Sequence, residues 1–185
     1  MEVKSVRIQF NINYKKAVEV ILWVLHKDNT IDVYKLMKVL FHADWVSVNK
    51  YGAPITGDNY LAMQYGTVPD IIYNCLIKKD ILYLEYAQLE EKSLPFDLIR
   101  YELLPKRMPN IDEYLSIADI ECLELGIKEY AGLSFEEVKN KNHSVKAWRE
   151  TYQKTPNSFI DWYDLIEEQY LKDDLSDGWA NHMVI

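Results

Sequence analysis

Apolar residues recur at helical spacing along most of this chain, and the breaks in that spacing divide it into elements. Ala17, Val18, Val20, Ile21, Val24 and Leu25 cover more than one stripe, so a helix over this run is expected to be buried on most sides. Asn11 or Asn13 stands where an N-cap is wanted, and Asp28-Asn29 closes the run. A second helix is predicted from Val33, Leu36, Met37, Leu40, Phe41 and Val48, which follow the i, i+3, i+4, i+7 rule after a cap at Thr30 or Asp32. Gly52 falls where a left-handed cap residue would end it, and Pro54 prevents a restart. Ahead of the first helix, Val6, Ile8 and Phe10 alternate with Arg7 and Gln9, which predicts a short edge strand or an extended lead-in.

Past Pro54 the elements shorten. Thr56-Gly57-Asp58 predicts a turn, residues 60–65 a short apolar run, Gly66 and Pro69 a further turn, and residues 70–76 the start of another helix, with a turn at 78–80 after it. The period then changes. Ile81, Tyr83 and Tyr86 fit a strand, and Ile99, Tyr101 and Leu103 alternate with Arg100, Glu102 and Leu104, so a small hairpin or meander is expected, followed by a loop at Pro105 and Pro109. Ser116 to Asp119 and Ser134 to Glu137 both have capping-box spacing, each opening a helix, with Gly132 at a sharp corner between them. Ser158 to Asp161 is expected to cap a last helix carrying Phe159, Ile160, Tyr163, Ile166 and Tyr170. The fold class that follows is mainly α: a single compact helical domain with a small antiparallel β-hairpin or meander. Residues 1–157 form the domain, and 158–185 a C-terminal helix and acidic tail packed on it or extending from it.

Three of the six glycines and two of the six prolines lie between Gly52 and Pro69, which concentrates backbone constraint in one stretch. The residues there hold a set of fixed spacings: Lys35, Leu36, Ala43 and Asp44 on the helix; then Tyr51, Gly52, Pro54, Ile55, Thr56, Gly57, Asp58 and Tyr60; then Met63, Gly66, Val68, Pro69 and Tyr73. In this the chain resembles the SocA-like family, also called the Panacea antitoxin domain, over roughly residues 10 to 150. Asn142-His143 and Trp148 follow the Gly-Leu-Ser corner at 132–134, where that family has a similar His and then Ala-Trp. The family usually has proline where this chain has Thr67, so the turn is expected to be less rigid here. The resemblance implies an antitoxin that neutralises a toxin by direct protein–protein contact, the toxin being encoded by the adjacent gene. It also implies an alternative, a proteolytic adaptor that delivers the toxin to an AAA+ protease.

Composition changes this picture in three ways. Apolar content of 49% and charged content of 27% are ordinary for a globular domain, no apolar run is long enough for a bilayer, and the N-terminus lacks a signal-peptide layout, so a cytoplasmic protein with no membrane partner is expected. The net charge of −8 is concentrated at the end: 158–185 holds seven acids against Lys172. With only short basic pairs such as Lys78-Lys79 and Lys106-Arg107, nucleic acid is disfavoured as a partner. Finally, 14 Tyr and 5 Trp exceed what a core of this size requires and favour a binding protein.

The sequence offers little for catalysis. Cys75 and Cys122 stand apart among apolar neighbours and are read as buried thiols. Of His26, His42, His143 and His182, no pair has metal-ligand spacing; His42 and Asp44 point to different sides of a helix. A site built from His143 with Asp58 and Asp44 would make the chain a small phage or prophage hydrolase, the reading from a different class. The expectation is otherwise no enzyme, no cofactor and no metal. Asp58 is expected to anchor its turn by accepting main-chain N–H groups, with help from the Thr56 hydroxyl. Tyr51, Gly52, Pro54, Thr56, Gly57, Asp58, Tyr60, Gly66, Pro69 and Tyr73 are assigned to structure. His42, Asp44, Tyr65, His143, Trp148 and Trp179 are the candidate partner contacts, and Trp179 is expected to fold back on the domain with the tail acids left exposed.

Overall fold

A computed structural model describes residues 8–78 and 94–182. The described residues are mostly helical, in the order α1 (Tyr14–Lys27), α2 (Val33–Tyr51), β1 (Tyr60–Met63), β2 (Gly66–Pro69), α3 (Asp70–Lys78), β3 (Phe96–Ile99), β4 (Glu102–Pro105), α4 (Ile111–Tyr114), α5 (Ile117–Tyr130), α6 (Phe135–His143), α7 (Lys146–Lys154), α8 (Trp162–Leu165) and α9 (Gln169–His182). Two antiparallel hairpins, β1–β2 and β3–β4, are its only sheets among those residues. This is the mainly helical architecture with minor β elements that the periodicity implies.

α2 is the central rod. Asp32 caps it by accepting the Lys35 N–H, and Gly52 ends it at φ 78°. Its buried face continues that of α1, where Asn13 is the cap and residues 17–25 are all buried. α5 crosses α2 closely at Gly126, where an added Cβ would meet the Val39 carbonyl oxygen at 2.6 Å. The capping boxes at Ser116/Asp119 and Ser134/Glu137 are both closed reciprocally. α1 also buries Glu19, which takes a two-pronged contact from Arg107 (3.0 and 2.6 Å) and the Asn110 N–H.

A second, smaller core lies on the other side of α2. Phe41, Val48, Tyr60, Ala62 and Trp148 meet Ile160, Trp162, Leu165 and Ile166 there, with Ile8 at its edge. Residues 157–160 run antiparallel beside β1: Ala62 donates to Ser158, Asn157 to Ala62 and Ile160 to Tyr60.

Several expectations are corrected by these contacts. Gly66–Pro69 is a buried strand rather than a turn; the turn is at Gln64-Tyr65, and the pairing runs Tyr60 with Pro69 to Met63 with Gly66. Ser158 caps nothing, because its segment pairs with β1; Asp161 caps the short α8 instead, and α9 starts only at Gln169. Ile99 and Leu103 lie on separate strands, since the chain reverses at Arg100, which adopts φ 59°. That reversal reaches α2, where the Val33 N–H donates to the Tyr101 carbonyl. Residues 8–13 form no strand. The expected strand at Ile81, Tyr83 and Tyr86, the turn at 78–80 beyond α3, and Val6 lie outside the described residues. Cys75 and Cys122 are both buried. No helix among the described residues is long and apolar enough to cross a membrane.

Candidate functional site

The sequence motif builds a clasp that joins α2, the β1–β2 hairpin and α3. Asp44, fully buried on α2, is its first anchor. One carboxylate oxygen accepts the N–H groups of Ile55 (2.8 Å) and Thr56 (3.0 Å); the other accepts the hydroxyls of Thr56 and Tyr60, the latter at 2.7 Å. Burial pushes its carboxyl above the usual range, and these four donors pull it back. Tyr60 is in turn held protonated by burial beside Asp44.

Asp58 is the second anchor. It accepts the N–H groups of Asn59 (2.7 Å), Ile71 (3.2 Å) and Ile72 (2.9 Å), so it serves as the cap of α3 from outside that helix. Its own N–H donates to the Thr56 hydroxyl oxygen, linking the two carboxylates through one threonine. Burial raises the Asp58 carboxyl to about 7, opposed by the three amides. Gly57 is required between them: at φ 75°, a Cβ would lie 2.3 Å from the Asn11 carbonyl oxygen.

The far end of the hairpin is held by α2 and α6. Asn142, fully buried, accepts the Thr67 N–H (2.6 Å) and donates to the Thr67 hydroxyl oxygen (3.0 Å) and to Tyr130 (3.3 Å). Lys38, 1% exposed, donates to the Thr67 carbonyl at 2.7 Å and sits 4.7 Å from the centre of the Tyr34 ring. Burial lowers its ammonium to about 7. Gly66 makes room for both, since a Cβ there would meet Asn142 Oδ1 at 2.3 Å. Around the tip, the Tyr34 hydroxyl donates to the Tyr65 carbonyl, and the Phe135 ring lies 4.6 Å from Tyr34 and 5.7 Å from Tyr65. On the other side His143 reaches the Gln64 carbonyl oxygen and stacks on Trp148 at 3.9 Å, while the Trp148 indole donates to the Met63 carbonyl.

This arrangement redistributes the candidate contact residues. Asp44 is no surface group: it is fully buried with both oxygens occupied, so it belongs to the clasp. Trp148 is buried as well, at 6% exposure. Tyr65 is half exposed at the hairpin tip, with His143 close by. His42 lies elsewhere, in a groove between α2, α5 and the α6–α7 corner. The Trp179 side chain falls outside the described residues. Of the residues assigned to structure, Tyr51 is exposed and donates to Glu121 at 2.7 Å, while Gly52 ends α2. A hydrolytic pairing of His143 with Asp58 finds no geometry here: the Asp58 oxygens are filled by amides, and the ring nitrogen of His143 is at the Gln64 carbonyl.

Lys38 and Asn142 are the clasp residues that spacing did not single out. Lys38 is flanked by Met37 and Val39, both buried, and a lysine inside an apolar run was the available signal. Thr67 is the other. A proline there would lack the N–H that Asn142 accepts, so the departure from the family pattern adds a tie to β2.

The family model for antitoxin SocA-like, Panacea domain proteins matches residues 36–149. That span runs from the first turns of α2 into α7 and contains Lys38, Asp44, Asp58, Thr67 and Asn142, with Tyr34 just ahead of it. No curated protein and no solved structure matches the chain.

Proposed function

Because this chain belongs to the SocA-like antitoxin family through its Panacea domain, we propose that it is the antitoxin of a toxin–antitoxin pair and neutralises its toxin by direct binding. The family match carries this reading. The clasp supports it physically: buried carboxylates and amides spend their hydrogen-bonding capacity on holding a hairpin and three helices in fixed relation, which suits a rigid binding platform better than a reacting centre. The partner is a protein encoded by the adjacent gene, and the complex is stoichiometric.

Co-expression tests this. The neighbouring gene's product alone should arrest growth, and this chain should restore growth and co-purify with it in equal amounts. An adaptor that feeds the toxin to an AAA+ protease would bind but fail to rescue cells lacking that protease. A neighbouring product that is harmless, or that is neutralised without any contact, would overturn the reading.

A further inference from the structure

We propose that the groove along the outer stripe of α2 is the partner-docking surface, and that it takes an amphipathic protein segment carrying apolar side chains beside a Lys or Arg. This rests on the reading of the chain as a protein-binding antitoxin and names the surface that reading leaves open. Two cavities of about 430 Å³ each share His42, Trp45 and Glu167 and merge into one depression. Its floor is His42, Trp45, Val46 and Asn49, at i, i+3, i+4 and i+7 of α2. That stripe is about 10 Å long, two helical turns, the span over which a short segment seats two or three anchors.

The walls decide the charge of the occupant. Lys141 is bound to Glu129 at 2.9 Å and Lys50 to Glu121 at 2.5 Å, and the third cation of the groove, Lys146, faces Glu150 at 3.8 Å, so each already has a carboxylate beside it. Asp164 and Glu167 on the opposite side make no ion pair among the described residues, although both line the groove. Asp164 is partly desolvated with Asp161 nearby, which raises its carboxyl, while Lys172 and Lys146 act on it from a distance in the other direction. His42 makes no hydrogen bond to a described residue; it meets only the rings of Trp45 and Tyr130, edge to face. Burial lowers its pKa, so at neutral pH it offers an uncharged ring rather than a competing cation. A floor of Trp45, Val46 and the uncharged His42 ring, with two carboxylates on one rim that make no ion pair among the described residues, is complementary to an apolar segment with a basic flank.

The hairpin tip, a second aromatic surface, lacks these features. Tyr34, Tyr65 and Phe135 pack on one another, and His143 is committed to Gln64 and Trp148, so their exposure is accounted for by holding the hairpin.

The test uses the full chain and a labelled amphipathic peptide with Leu at i, i+3 and i+7 and Lys on the flank, beside the same peptide with Glu for Lys. The Lys peptide should bind the wild type, and D164K/E167K should weaken it by about tenfold or more, the size expected for a directly opposed charge pair. His42→Trp, which fills the groove, should do the same, and Tyr65→Ala should leave affinity unchanged. Melting temperatures of all variants establish that they are folded. Equal binding of both peptides, no binding of either, loss with Tyr65→Ala alone, or a wild-type dimer abolished by E167K would each overturn the proposal. Growth rescue by the wild type is scored separately. Its failure beside groove-dependent peptide binding would sink the antitoxin reading and leave the groove standing.

Discussion

Lys38 brings an ammonium into the interior with no carboxylate partner among the described residues. Its folded pKa of about 7 lies far below the ordinary 10.5. Between these values the unfolded chain binds a proton that the folded chain does not, so stability rises with pH across that window and the gain is lost as pH falls to about 7. A neutral amine still donates to the Thr67 carbonyl, so the deprotonated form keeps its bond. From pH 7 to pH 9 we expect a gain of about 2 kcal/mol, or a melting temperature higher by about 4–8 °C. Lys38→Met should remove that slope and, by ending the desolvation cost, match or exceed the wild type at pH 7. A Lys38→Met protein retaining the wild-type slope would assign it to another group.

The β1–β2 hairpin depends on contacts distant in sequence, and that determines what was legible. Helices were readable because their signals are local: Asn13, Asp32, Ser116 and Ser134 all cap where spacing placed them. The hairpin was half readable. Asp58 advertised a turn, but its partners Ile71 and Ile72 lie 13 and 14 residues on, and Asn142 lies 75 residues from Thr67. No period encodes such pairs. Gly66–Pro69 reads as a turn from composition and becomes a strand because Lys38, Asn142 and β1 satisfy its polar groups. The candidate contacts divided for the same reason, with Asp44 inward and His42 outward on one helix. Asn142→Ala should therefore act on this element first. It leaves the buried Thr67 N–H and hydroxyl without their partner, at a cost of about 1–3 kcal/mol, and amide exchange at Thr67 should accelerate more than at Leu40 in α2. Equal acceleration at both would mean that the hairpin has no independent opening.

At the scale of the molecule, the family match ends at 149 while the second core does not close until Ile166. Ile160, Trp162, Leu165 and Ile166 are all nearly inaccessible to solvent against Phe41, Tyr60 and Trp148. A chain stopped after residue 156 would expose those surfaces, and at about 25 cal/mol per Å² the loss should bring melting down by well over about 10 °C or prevent folding. Stopping after residue 168 should be far milder. Circular dichroism melts of the two truncations decide it; similar melting temperatures would show that the second core contributes little.

Residues 157–160 also cover the outer edge of β1. Without that cover, β1 presents open main-chain donors and acceptors, the kind of edge that recruits a strand from another molecule. The portable unit is thus longer than its signature. An exchange of domains between antitoxins, by recombination or by an engineer, has to carry the sequence through Ile166, or the recipient inherits a template for self-assembly.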